Sequence, residues 1–335
     1  MLAHRLALGT VVATAVLIVF GGLVTNTGAA LAVPDWPNTF GHNLFLYPWS
    51  GMVGGIFYEH SHRLLGATVG LLTLALAAAL WRRGGTLRVL GLVALATIVA
   101  QGVLGGLRVV LLRDELALIH GPLAQAFLAL VATLAFLTSP GARATAPIDR
   151  GLRHLAVVAA AVTYAQIVLG ALLTHAGWLW LHVGGAVAVF AVVPIVTARA
   201  RRTGDAVAAP LARALLALLG LQLVLGIGAY LARFSPLWIP GEQATMLALP
   251  VVHRLVGGLL FAATVVLAVR LNGWSAERTT AVFERGDRRP GGLGGSSRTP
   301  HVNQWSSPMA TDERPRETAG RVGRESAGTS CESRV

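Results

Sequence analysis

The sequence predicts an all-α membrane protein, with eight transmembrane helices arranged as two tandem four-helix repeats. Three observations lead there. Of the 335 residues, 54% are hydrophobic and only 13% charged, about half the charged share of a soluble domain, and the mean hydropathy is +0.65. Apolar runs of about 20 residues, long enough to cross the hydrocarbon core as helices, recur eight times. Segments in the first four runs also match segments in the last four. This balance excludes an ordinary cytosolic enzyme, a disordered chain and a disulfide scaffold. The single cysteine, Cys331, excludes an intrachain disulfide and any cysteine-based zinc or iron–sulfur centre.

Taken in order, the expected spans are 6–25, 57–81, 89–108, 117–138, 152–174, 180–198, 211–232 and 247–270. Lipid offers no partner to a backbone amide or carbonyl, so each run satisfies its own as a helix. The first run ends near Ala30-Leu31-Ala32, a small-residue pattern like that of a leader cleavage site. It is longer than a usual leader core, however, and reads as a span. A long outer segment from Asn26 to about Ile56 follows, holding Val33-Pro-Asp-Trp-Pro37, His42 and Pro48-Trp49. The corresponding link in the second half is short and passes through Gly177, Trp178 and Trp180. A long loop in one half only suggests a lid over a site that this half alone possesses. The expected units are 1–139 and 140–274, each of four helices, and a tail over 275–335. The tail is rich in Gly, Ser, Arg, Pro and Glu without apolar period, and reads as disordered and cytoplasmic.

Orientation follows from charge. The formal net charge is +12, and all 27 basic residues are arginine. Up to Trp274 there are 17 arginines against 7 acids, so the excess belongs to the apolar body rather than to a nucleic-acid-binding surface. Arg5, Arg82, Arg83, Arg88, Arg143, Arg150, Arg153, Arg199, Arg201, Arg202, Arg213 and Arg270 fall on one side, which is 12 of the 17. Short cytoplasmic loops retain arginine, so both termini are expected in the cytoplasm. The protein is expected to be multi-pass in the cell inner (plasma) membrane.

The halves align span by span. Gly22-Leu-Val-Thr-Asn-Thr-Gly28 matches Ala171-Leu-Leu-Thr-His-Ala-Gly177, and Gln101-Gly-Val-Leu-Gly105 matches Gln222-Leu-Val-Leu-Gly226. His62 aligns with His182 and His120 with His253. These four histidines occupy the even-numbered spans, within about two turns of each expected start. They therefore lie at similar depth, on the outer side. Facing imidazoles on membrane helices are the arrangement that holds a haem between them, because neutral imidazole is a good axial ligand to iron. Gly102, Gly105, Gly106, Gly226 and Gly228 either let a flat macrocycle approach or serve helix packing. Arg63 and Arg254, each following a candidate ligand, either pair with haem propionates or snorkel. Glu59 is the one acid within a span. It lies three residues before His62, a step of about 300° and 4.5 Å that puts both on one face, toward the pocket His62 lines. An ionisable group at that depth points to function. His60 projects elsewhere and reads as interfacial.

Gly21-Gly-Leu-Val-Thr-Asn-Thr-Gly28 with Pro34-Asp-Trp-Pro37, Glu59-His-Ser-His-Arg63, Gln101-Gly-Val-Leu-Gly-Gly106 and the histidines of the even spans together resemble the haem A synthase family over residues 1 to about 270. The resemblance implies oxidation of the C8 methyl of haem O to a formyl group, through hydroxylated intermediates, to make haem A for terminal oxidase assembly. It further implies that His62 and His120 bind the substrate haem beside Glu59 as the catalytic acid, and that His182 and His253 hold a permanent haem b. As partners it implies haem O, the haem O synthase that makes it, an unidentified electron donor and the lipid bilayer, with homo-oligomerisation left open. Many members carry a cysteine directly before Pro-Asp-Trp-Pro, where this chain has Val33; a thiol route for electrons is therefore absent.

Two other readings compete. A di-haem cytochrome carrying electrons from quinol usually has one haem near each membrane face, whereas all four histidines lie on one side. It also leaves Glu59 and the long loop unexplained. A transporter would show broken helices with polar clusters at the midplane.

Overall fold

The computed structural model describes residues 1–113, 115–142, 148–235 and 241–273. They form eight helices: α1 (Leu2–Asn26), α2 (Gly54–Trp81), α3 (Gly85–Val110), α4 (Leu116–Leu137), α5 (Arg150–Ala176), α6 (Leu179–Arg202), α7 (Ala208–Phe234) and α8 (Glu242–Leu271). Short 3-10 turns lie at Trp49–Gly51 and Pro140–Ala142, and no strand occurs among the described residues. All eight helices are long and apolar enough to cross a membrane. The expected tail over 275–335 lies outside the described residues.

Most helices run a few residues past the expected apolar runs, while α2 ends at Trp81 and α4 at Leu137, at or just inside the expected limits. The start of α5 is fixed by Asp149, whose carboxylate accepts from the Leu152 amide at 3.0 Å, satisfying one of the first free donors. Its end is fixed by Gly177, in the left-handed region at φ 74°, whose amide donates to Leu173. Pro122, Pro194 and Pro250 sit inside α4, α6 and α8, and each helix continues through its proline.

Consecutive helices pack in α1–α4, and α1 also meets α4, closing a ring of four. The same holds for α5–α8, with α5 against α8. Between the rings, α4 packs on α8, α1 on α8 and α4 on α5. Exchanging the first four helices for the last four maps this set of neighbours onto itself. The junction core is formed by Ile18, Leu128, Ala129, Phe261 and Ala262.

Within each ring the buried apolar side chains gather at the arginine-rich end. In the first they include Ala7, Leu76, Leu80, Leu87 and Leu134; in the second, Ala156, Val196, Ala200, Ala208, Leu215 and Leu271. That end is tied further by Arg270, whose guanidinium donates to both Asp205 oxygens at 3.0 and 2.9 Å and to the Gly141 carbonyl at 2.9 Å. Large apolar side chains such as Leu71, Val99, Val187 and Val224 point outward and stay exposed, as expected of helices whose surroundings are lipid. The opposite end, where the even helices begin, is where polar and glycine-rich positions converge.

Candidate haem-binding sites

Each ring brings two imidazoles across its centre. His62 on α2 and His120 on α4 have ring centroids 6.5 Å apart, with planes at 66°. His182 on α6 and His253 on α8 are 6.3 Å apart, at 71°. A metal–imidazole bond of about 2.0–2.1 Å plus about 1.1 Å from each nitrogen to its ring centre sets two axial imidazoles about 6.3 Å apart. Both pairs match that spacing, so both fit an iron held between them. Nδ1 of His62, His120 and His253 is buried without a hydrogen-bond partner among the described residues. α8 begins at Glu242, five residues before the expected span, so His253 lies about three turns into its helix rather than two.

Glycines make room for these rings. A Cβ at Gly21 would lie 3.0 Å from Cε1 of His62, at Gly105 3.5 Å from that of His120, at Gly170 3.3 Å from that of His182, and at Gly226 3.0 Å from that of His253. At Gly21 and Gly226 no side chain fits without moving the imidazole. Each odd helix thus carries one glycine under the histidine of the helix after it.

The two ends of α2's acidic motif fasten the long loop. Glu59 is buried, 5% exposed. Its Oε2 accepts from the amides of Leu31 at 3.1 Å and Val33 at 2.9 Å, and its Oε1 pairs with Arg63 at 2.7 Å. The Arg63 guanidinium also donates to the carbonyls of Val33, Asp35 and Asn38. Nη1 and Nη2 of Arg63 thus donate to the loop and to Glu59, because the loop folds down onto this turn of α2. The Glu59 carboxylate is directed to loop amides as well as to Arg63.

The loop itself is organised by Asp35, which accepts from the Phe40 and Gly41 amides, both at 2.8 Å. Burial opposes its ionisation, but those amides and nearby Arg63 outweigh burial and hold its carboxyl below the ordinary value. Trp36 lies directly on Gly106 of α3, where a Cβ would overlap the indole. The loop thus reaches from α2 across to α3, over the first histidine pair.

His60 is buried at 2% exposure, with Nδ1 3.0 Å from the Thr39 hydroxyl and its ring 5.1 Å from that of Tyr47. The interfacial placement expected for it is corrected, because the loop covers that face of α2. Arg254 is half-buried and reaches toward Gly22 on α1, where a Cβ would lie 3.4 Å from its Nη1. No described residue accepts a hydrogen bond from it.

Gln166 was not singled out in the sequence. Its amide Nε2 donates to the His182 carbonyl at 2.9 Å and lies 3.2 and 3.3 Å from the two ring nitrogens. The signal was present, since Gln166-Ile-Val-Leu-Gly170 repeats the pattern read at Gln101 and Gln222.

Residues 51–179 match the family model of the cytochrome oxidase assembly proteins, COX15-CtaA. Over 179 residues the chain is 32% identical to a protein named heme A synthase from Shouchella clausii (strain KSM-K16), an alignment covering 50% of this chain and 58% of that protein. The chain thus spans under two thirds of the length of the curated relative it matches.

Proposed function

We propose that this chain, for which both matches support the haem A synthase family, oxidises the C8 methyl of haem O to a formyl group, supplying haem A for terminal oxidase assembly. The observation that carries this reading is the pair of pairs. Two imidazole couples share one spacing, 6.5 and 6.3 Å, but among the described residues only the first has a strapped loop with a buried carboxylate beside it.

In this reading His62 and His120, in the half spanning 1–139, hold haem O as substrate, and His182 and His253, in the half spanning 140–274, hold haem b. Bound there, haem b supplies one-electron redox chemistry. The chain's own residues do the rest. The imidazoles would hold each haem, and the glycine beside each imidazole leaves that ring its space. Arg254, half-buried and without an acceptor among the described residues, receives a propionate. Arg63 and Glu59 hold the loop, and Trp36 on Gly106 excludes water above the substrate. Glu59 keeps its negative charge in place with three hydrogen bonds, where it stabilises positive charge developing at the oxidised methyl or takes its proton. The arginine-rich end supports the orientation with both termini in the cytoplasm, and the multi-pass site in the inner (plasma) membrane. Taking a methyl to a formyl group removes four electrons and adds one oxygen atom, so the reaction requires dioxygen with an electron donor, or water with an electron acceptor; the haem O synthase would supply the substrate.

The test is haem extraction and chromatography of the purified full chain from cells that make haem O. Haem b together with haem O, haem A or a hydroxylated form is the expected result. Two equivalents of haem b alone would favour the quinol-linked electron carrier. No haem in cells with ample haem would overturn the histidine reading.

A further inference from the structure

The face that α2 turns outward is marked by Phe57, Thr68, Leu71, Ala75 and Ala78, all exposed, while Val69, Thr73, Leu76 and Leu80 on its other side are buried. At about 100° per residue His60 falls on the outward face, since Ala78 stands 18 residues, or about five whole turns, beyond it. Helix periodicity alone would leave His60 bare, yet it is buried. The matching position on α6, two residues before the facing histidine, is Trp180, which is 81% exposed. What differs between the halves is the loop. In the first half it lies over this face, with the Thr39 hydroxyl and the Tyr47 ring against His60.

This part of the loop is a formed arm. Thr39 and His42 exchange backbone hydrogen bonds, each at 3.0 Å. Tyr47 packs on Phe40 and His42, and its hydroxyl donates to the Gly51 carbonyl at 3.2 Å. The far side of the arm is bare, with Phe45, Leu46 and Trp49 at 64%, 75% and 80% exposure. From Trp36 to Tyr58 the chain holds no acid, lysine or arginine. An apolar cluster of this kind on a loop marks a surface that meets something other than water. Exposed aromatic side chains without neighbouring charge suit the boundary between lipid headgroups and acyl chains.

We propose that residues 40–53 form an arm lying in the interface of the bilayer leaflet opposite the arginine-rich end, against the lipid-facing flank of α2, with Phe45, Leu46 and Trp49 immersed as its anchors. The partner is the phospholipid bilayer itself. Three observations select it over a second copy of the chain and over a position in water. The arm rests on the face that α2 otherwise turns to lipid, at the level of its second turn. The equivalent position in the second half is a bare tryptophan, the residue type that settles at that interface. The arm also has no formal charge with which to pair with a protein or to favour water. The cover over the first histidine pair is thereby held by Glu59 and Arg63 on one side and by lipid on the other. The inference does not depend on what those histidines bind.

Spin labels read the depth of the arm. In the full chain carrying C331S, a nitroxide is placed at F45C, L46C or W49C. L71C serves as the lipid-facing reference, and A206C, in the exposed turn before α7, as the aqueous one. Each chain is reconstituted in nanodiscs of phosphatidylcholine and phosphatidylglycerol. Power saturation then compares relaxation by oxygen, which collects among acyl chains, with relaxation by a nickel chelate, which stays in water. The arm labels are expected to fall between the two references, about 5–10 Å below the headgroup surface. Relaxation by nickel equal to that at A206C would put the arm in water and overturn the inference. Low access to both reagents would bury the arm in protein and overturn it as well, with spin–spin broadening that disappears on dilution by unlabelled chain identifying a second copy. The labelled positions are exposed, so each chain should unfold at the wild-type temperature, and agreement of two of the three positions decides the reading.

Discussion

Glu59 and Arg63, one turn apart on α2, meet at 2.7 Å with both side chains nearly buried, at 6% and 11% exposure. Between them they hold the backbone of residues 31–38 by two amides and three carbonyls. This pair faces a loop rather than solvent, so its worth exceeds that of a surface ion pair, about 0–1 kcal/mol. Removing one partner strands the other's buried charge, which costs about 3–5 kcal/mol. Arg63→Ala is therefore expected to release the loop. Limited proteolysis between residues 29 and 53 should accelerate at least ten-fold, and substrate-haem retention should fall while the His182–His253 haem stays. Unchanged cleavage would remove Arg63 as the fastening.

Glu59→Gln keeps the size of the side chain and two of its acceptor bonds but removes the negative charge. Haem at the His182–His253 pair is expected to remain near wild type while formation of haem A stops. Chromatography of haems from cells carrying the variant measures both, and retained haem A formation would remove the Glu59 charge from the mechanism.

Most of the fold was legible because a bilayer enforces helices of one length with apolar surfaces, and that requirement is written as eight long runs. The facing histidines were legible because similar short segments recur in both halves and align His62 with His182 and His120 with His253. The clamp was not. The three-residue step from Glu59 to His62 indicates a shared face, but nothing local reveals that the segment 31–38 folds back onto that turn and claims the carboxylate. The same long-range contact buries His60 beneath Thr39, which helix periodicity alone assigns to an interface. Gln166 was missed for a different reason: its meaning lies in comparison with Gln101 and Gln222, not in its own neighbourhood.

Gly106 has the Trp36 indole where its side chain would be. Gly106→Ala is expected to displace the indole and loosen the loop, costing about 1–3 kcal/mol as overpacking does. Faster proteolysis of the loop with an unchanged second haem is the expected pattern. A loop as resistant as wild type would show that Trp36 does not hold it.

The glycines under the histidines separate the two sites. A Cβ at 3.0 Å forces the neighbouring ring to shift, and a shifted ligand loses alignment with iron. Gly226→Ala is expected to lower haem b retention at least about five-fold and leave haem O, and Gly21→Ala the reverse. Haem-resolved chromatography of the two variants reads this directly; equal loss of both haems in each would mean that the rings do not belong to separate sites.

The arginine-rich end sets a pH limit on the fold. Burial alone would raise the Asp205 carboxyl, but the hydrogen bonds and charge of Arg270, with the Val207 and Ala208 amides, outweigh it and hold it below its ordinary value. A folded value below the unfolded one means that the group's stabilisation is fully present above the ordinary carboxylate value of about 4, and is lost as pH falls through the lowered folded value. Asp205→Asn keeps the shape and removes the titration. The variant should be less stable than wild type at neutral pH, by about 1–3 kcal/mol for hydrogen bonds to a charged group, and the gap should narrow as the pH drops below about 4. Thermal unfolding in detergent across that range measures the gap. A constant difference at every pH would mean that the Asp205–Arg270 pair fixes geometry without contributing charge-dependent stability.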